Sequence, residues 1–110
     1  MILSFIEVRP LPGNREKILE LLQFLVDSLE TRRGCLAAGV YEADGEKGTI
    51  LYLEQWSSDE EFRRYVQSTL YLGVLNALDL AREPPVVKFH EVSDTKSMDL
   101  IVALRSPCES

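Results

Sequence analysis

Two segments, ILSFIEVR at residues 2–9 and TILYLEQW at 49–56, set the main limit on what this chain can fold into. Both are rich in β-branched and aromatic residues, which suits strands. Side chains on a strand point alternately to its two faces. In the first segment Ile2, Ile6 and Val8 share one face while Leu3 and Phe5 share the other; in the second, Ile50, Tyr52 and Trp56 oppose Leu51 and Leu53. An antiparallel sheet covered by helices on one side normally turns polar residues to its free side. Both sides are apolar here, so the sheet needs two covers.

The remaining segments supply one of them. LPGN at 11–14 reads as a turn, with Asn14 or Gly13 placed to cap the next element. Between Arg15 and Arg33 the residues Ile18, Leu21, Leu22, Leu25, Val26 and Leu29 recur at helical spacing. This predicts an amphipathic helix of about five turns. Gly34 ends it, with Arg32 and Arg33 in the last turn, where cations complement the helix dipole. CLAAGVYEA at 35–43 and the segment at 49–56 read as strands joined in a hairpin around DGEKG. Ser57 or Ser58 caps a second helix, with Asp59, Glu60 and Glu61 in its first turn and an apolar side of Phe62, Tyr65 and Val66. LYLGVLNALDLA at 70–81 predicts a further short helix, broken at Pro84 and Pro85. VVKFHEV at 86–92 reads as a fourth strand, and MDLIVALR at 98–105 is long enough for a fifth.

The expected fold is therefore α+β: a ferredoxin-like βαββαβ antiparallel sheet with helices on one face, plus an extra C-terminal strand. Residues 1–92 form the domain and 93–110 a C-terminal extension. Since no second layer of helices is left, the other cover is expected from a second copy, a homodimer with sheets stacked face to face. The strand at 98–105 either crosses to the partner's sheet edge or returns to its own.

The chain has 110 residues, 45% hydrophobic and 27% charged, which fits one globular domain. A net charge of −6 argues against nucleic-acid partners, whose phosphates are bound by clustered Lys and Arg. No apolar run approaches the roughly 20 residues that span a bilayer, and no secretory leader is readable, so a cytoplasmic address without membrane attachment is expected. Cys35 and Cys108 match neither a zinc site nor a redox pair and are read as free thiols.

The candidate site lies where strand turns into helix. Tyr52, Glu54 and Trp56 share a strand face, and Tyr65 or Tyr71 can close over them from the helices. Trp56 either lines a pocket for a flat ligand or anchors the corner. Glu54 is either a base with a burial-raised pKa or the structural partner of Arg63, Arg64 or a backbone group. The phenol of Tyr65 suits a hydrogen bond to a developing oxyanion, or simple packing. His90, the sole histidine, is either a proton carrier or an ordinary strand residue. One histidine and carboxylates gathered at helix N-termini give no readable metal site. Gly45 and Gly48 bracket a hairpin rather than a phosphate loop, and no cofactor is called for.

From about Ile2 to Val92 the chain resembles the antibiotic biosynthesis monooxygenase family of dimeric α+β barrels. The resemblance rests on a first strand ending near Pro and Gly, a long helix, Gly34 and Cys35 opening the second strand, and "LEQWSSDEEFRRYVQS". It implies a small homodimer whose relatives include cofactor-independent oxygenases of quinols and polycyclic aromatics, and haem-degrading enzymes. Many quinol-type relatives carry His where Tyr65 and Leu70 stand. The haem-degrading pattern of Asn, Trp and His falls here on Ile6, Tyr65 and about Leu75, which does not fit haem. The function expected is thus a monooxygenase acting on a small aromatic or quinol-type compound, with Tyr65, Glu54 and His90 as catalytic candidates and Tyr52, Trp56 and Tyr71 lining the site. The alternative is a non-catalytic homodimer that binds a small ligand or serves a structural role.

Overall fold

The structure is a computed structural model that describes residues 1–43 and 48–106. The hairpin turn expected around DGEKG and the thiol of Cys108 fall largely outside the described residues. Strands β1 (Ile2–Val8), β2 (Cys35–Glu42), β3 (Ile50–Trp56) and β4 (Val86–Glu91) form an antiparallel sheet in the order β2-β3-β1-β4. Helices α1 (Arg15–Leu29), α2 (Asp59–Val66) and α3 (Leu72–Leu78) follow in chain order, with a 3₁₀ turn at Thr69–Tyr71 between the last two. This is the ferredoxin-like α+β arrangement.

Alternation along the two central strands decides which face is which. Ile2, Ser4, Ile6 and Val8 of β1 and Ile50, Tyr52, Glu54 and Trp56 of β3 are buried against the helices. Leu3, Phe5, Leu51 and Leu53 point to the opposite face and stay partly accessible. Among the described residues no helix covers that second apolar face. From α1, Ile18, Leu22, Leu25 and Leu29 recur every three or four residues and are fully buried. Burying such an aliphatic side chain contributes about 1.5–3 kcal/mol each. Gly73 lets α3 come close, since a Cβ there would lie 3.2 Å from a Leu25 methyl.

Two expectations need correction. The first helix stops at Leu29, so Arg32 and Arg33 lie beyond it in the connecting turn, where backbone bonds Arg32 N–H to Leu29 O and Cys35 N–H to Arg32 O reverse the chain. The segment expected as a fifth strand is instead a helix, α4 (Met98–Leu104). The side chain of Ser97 accepts the Asp99 N–H at 3.4 Å, and Asp99 places negative charge in the first turn. A short apolar run has no periodicity that separates strand from helix, and here the cap decides.

Gly34 shows how tightly the second strand is fitted to the second helix. It has φ +88°, its carbonyl accepts Ser57 N–H at 2.8 Å, and an added Cβ would meet Glu61 Cβ at 2.5 Å. Gly13 has a similar φ of +91° with nothing within 4 Å of such a Cβ. Gly13→Ala therefore carries only the left-handed penalty, about 1–2 kcal/mol. Gly34→Ala is expected to cost more than that by at least about 1 kcal/mol. Urea denaturation of both variants checks this, and equal losses would show that Glu61 yields freely.

Candidate functional site

The corner is built by one serine. Ser58 takes an extended conformation, φ −152° and ψ 160°, and its hydroxyl accepts Glu61 N–H at 3.2 Å, so α2 starts immediately after β3. Three acids in the first turn and two arginines in the last suit the dipole. Arg63 bonds Asp59 at 2.6 Å and Arg64 bonds Glu60 at 2.7 Å, both on the exposed side. These arginines are therefore engaged on the surface and do not hold Glu54. The inward side of α2 carries Phe62 and Tyr65 onto Trp56.

Glu54 is the centre of what they enclose. The residue is 1% exposed, on a strand face that is otherwise mostly apolar. Its Oε1 accepts the Trp56 indole N–H at 3.1 Å and its Oε2 accepts the Tyr65 hydroxyl at 2.6 Å. Loss of solvent is the main influence and raises the carboxyl above its ordinary 4.5, while the surrounding donors pull the other way. Burial likewise raises the phenols of Tyr52 and Tyr65, and the neighbouring carboxylate adds to it. Both phenols are thus held neutral. Tyr52, two residues earlier on the same face, is fully buried; its hydroxyl feels Glu54 and Tyr65 electrostatically but makes no well-formed hydrogen bond.

Aromatic rings surround this acid. Tyr65 stacks on Trp56 with centroids 4.6 Å apart, Tyr71 meets Tyr65 edge-on at 5.1 Å, and the Arg32 guanidinium lies 5.9 Å from the Tyr65 ring centre. Phe62 leans on Trp56 at 6.3 Å and on Phe89 at 5.1 Å. Beyond Phe62 lies an open cleft of about 490 Å³ between α2 and β4. Ile2, Phe62, Val66 and Phe89 give it apolar walls, and Arg63 and Glu91 belong to its polar lining. Phe62 is thus the ring that touches both the cleft wall and the aromatic stack around the acid.

Of the residues singled out in the sequence, Tyr52, Glu54, Trp56, Tyr65 and Tyr71 come together. His90 does not. It pairs across the strands with Leu3, whereas Phe89 pairs with Ser4, which in turn pairs with Glu54. His90 therefore points to the open face, and the sheet separates it from the acid. In the sequence Phe62 registers only as helix packing, and nothing there connects Phe89 or Arg32 with the site. The row Phe89, Ser4, Glu54 across three strands places Phe89, but it needs the register, which strand composition alone does not give. Among the described residues no group of three or more His, Cys, Asp or Glu is placed to hold a metal ion, and no helix is long and apolar enough to cross a membrane.

A four-stranded antiparallel sheet with helices packed on one face and a buried acid among aromatics defines a ferredoxin-like α+β domain. The chain belongs to the antibiotic biosynthesis monooxygenase family, whose model matches residues 1–76. Among solved structures, Rv0793 from Mycobacterium tuberculosis is 21% identical with a TM-score of 0.77, covering 87% of this chain and 98% of that one. A structure described as antibiotic biosynthesis monooxygenase is 16% identical with a TM-score of 0.74, covering 86% and 100%. PA3566 from Pseudomonas aeruginosa is 16% identical with a TM-score of 0.71, covering 84% and 94%. At such identities the likeness establishes the fold. No curated protein matches the sequence significantly.

The geometry around Glu54 makes two stability predictions. Tyr65→Phe removes a donor from a buried acceptor and should cost about 1–3 kcal/mol in urea unfolding. Because the folded pKa of Glu54 is raised, its contribution is most favourable below pH 4.5 and declines as pH climbs through the raised value. Glu54→Gln does not titrate, so the stability of wild type relative to this variant should fall with pH over that window. A difference that rises with pH would contradict a raised carboxyl.

Proposed function

We propose that the protein is a cofactor-independent monooxygenase acting on a small aromatic or quinol-type compound. The observation that carries this reading is the Glu54 carboxyl, buried, hydrogen-bonded to a neutral phenol and connected through Phe62 to an apolar-walled cleft. Family membership and relatives bearing the monooxygenase name support it. A planar substrate enters the cleft against Phe62 and Phe89, and a swing of Phe62 brings its acidic C–H or O–H to Glu54. The carboxylate takes the proton, and burial gives it a pKa better suited to that task than an exposed acid has. Tyr65 and the unpartnered Tyr52 hydroxyl donate to the oxyanion that forms.

The resulting anion is electron-rich enough to pass an electron to dioxygen, and the radical pair combines into a peroxide. For an anthrone the balance closes without an added reductant: one methylene and one O2 give one carbonyl and one water. The two C–H bonds supply the four electrons. One oxygen atom stays in the product, and the other leaves as water with both hydrogens. The catalytic assembly belonging to this reading is a homodimer stacked through the open sheet faces, where Leu3, Phe5, Leu51 and Leu53 stand partly exposed. A cytoplasmic address goes with it.

A second reading is a non-catalytic dimeric module. The sealing of Glu54, Tyr52, Trp56 and Tyr65 favours it, because a filled cluster packs as a core does. Oxygen uptake with a panel of quinols and anthrones separates the two. Wild type should consume one O2 per anthrone oxidised, and Glu54→Gln should lose about 10²-fold or more in kcat. Absence of turnover above buffer for every compound, with the protein folded, would establish the second reading.

A further inference from the structure

We propose that the ligand of the cleft between α2 and β4 is an aromatic compound bearing a protonated amine, and that Glu91 is the residue that selects it. This rests on the reading of that cleft as the substrate's point of entry and narrows the substrate class.

The charge that lines the cleft is unbalanced. Asp59, Arg63 and Glu91 are its charged residues. Arg63 Nε bonds Asp59 Oδ2 at 2.6 Å within one turn of α2, so those two charges cancel. Glu91 is left over. Among the described residues no Lys or Arg pairs with it, and the nitrogen of Met1 bonds the Val92 carbonyl at 3.4 Å. Lys88, the nearest lysine along β4, pairs with Phe5 and faces the other side of the sheet. The cleft therefore presents one uncompensated carboxylate.

Register directs that carboxylate inward. Glu91 pairs with Ile2, whose side chain is on the helix-covered face, so Glu91 and Phe89 both project from β4 toward α2. Phe89 meets Phe62 with ring centroids 5.1 Å apart and planes inclined at 55°. Ring faces attract cations as well as flat apolar surfaces. A carboxylate beside two rings thus offers an ammonium both a counter-ion and aromatic contact, whereas a carboxylate on the ligand meets like charge.

The spacing suits one ring on a short tether. Phe89 shares a row with Ser4 and Glu54, which is two strands away, and Glu91 lies two residues further along β4. From strand separation and rise, the Cα atoms of Glu54 and Glu91 are about 12 Å apart. The two glutamate side chains take up part of that span. What is left is the length of an aromatic ring with an amine on a short alkyl chain, and a volume of about 490 Å³ accommodates such a molecule. Its ring hydroxyl is then turned toward Glu54 and its ammonium toward Glu91.

Dopamine, ethylcatechol and hydrocaffeate carry one catechol ring on a cationic, a neutral and an anionic tether, and they serve as probes. Each is titrated without oxygen into the 15N-labelled full-length chain, wild type and Glu91→Gln, and binding is read from amide shifts around Phe62 and Phe89. Glu91 is exposed, so its substitution leaves the packing intact. Dopamine is expected to bind about tenfold tighter than hydrocaffeate, with ethylcatechol between them, and the preference should shrink as salt is added. Glu91→Gln should weaken dopamine about threefold and leave ethylcatechol unchanged. Hydrocaffeate binding as tightly as dopamine would overturn the proposal and give the choice to Arg63. A preference for dopamine that survives intact in Glu91→Gln would overturn it as well. Shifts at the cleft with none of the three would overturn both the proposal and the cleft as the point of entry. Binding of dopamine that depends on Glu91, without oxygen uptake in air, would uphold the proposal and count against the oxygenase reading.

Discussion

The fold turns on a carboxyl in the wrong place. Glu54 sits on the buried face of the strand that joins the two halves of the sheet, and an unpaired charge there would be expensive. It is held by Trp56 two residues on and by Tyr65 eleven residues on. The second bond ties α2 to the sheet, because it spans from strand to helix across the corner at Ser58. Ring stacking of Tyr65 on Trp56 then fixes the helix in the other direction. The short helix thus has a polar tie and a stacked ring within one turn. Gly34 completes the fit from outside, leaving no room for a side chain beside Glu61. What fixes the corner and what makes it chemically interesting are the same side chains.

Most of that architecture is legible in the sequence because it repeats. Two strands with apolar residues at both parities, a helix with Ile18, Leu22, Leu25 and Leu29 on one stripe, and a serine before three acids each point to one element. The gathering of Tyr52, Glu54 and Trp56 comes from period two, and Tyr65 from the helix. What composition does not determine is register and partner. Whether Phe89 or His90 faces the acid depends on a one-residue choice, and pairing with β1 makes it Phe89. That Glu54 is held by an indole and a phenol instead of an arginine depends on where Arg63 and Arg64 turn, and the helix surface gives them Asp59 and Glu60. MDLIVALR misleads for a related reason. Its apolar residues fit a strand or a helix equally, and the difference lies in Ser97.

Tyr65 and Glu54 divide donor and acceptor between them. A phenol such as Tyr65, whose pKa is driven up, is no proton acceptor near neutrality. It is a donor, and it donates to Glu54. In the proposed oxygenase reading proton acceptance falls to the carboxyl, whose pKa moves in the helpful direction through loss of solvent.

A carboxyl in that proposed role has a cost in access. A histidine reaching in from a helix can meet substrate at the mouth of a cleft, whereas Glu54 projects from the sheet and lies beneath its own donors. Phe62, 8% exposed, is the ring in contact with both Trp56 and the cleft wall. It shares Trp56 with Tyr65, the next position on the inward side of α2, but the bond from Tyr65 to Glu54 does not involve it. The packing of Phe62 and Tyr65 on Trp56 keeps water from a carboxyl whose raised pKa depends on dryness, so what hides the acid also maintains its basicity. The proposed oxygenation by way of a carbanion would gain from the same exclusion, because water would reprotonate the anion before dioxygen met it.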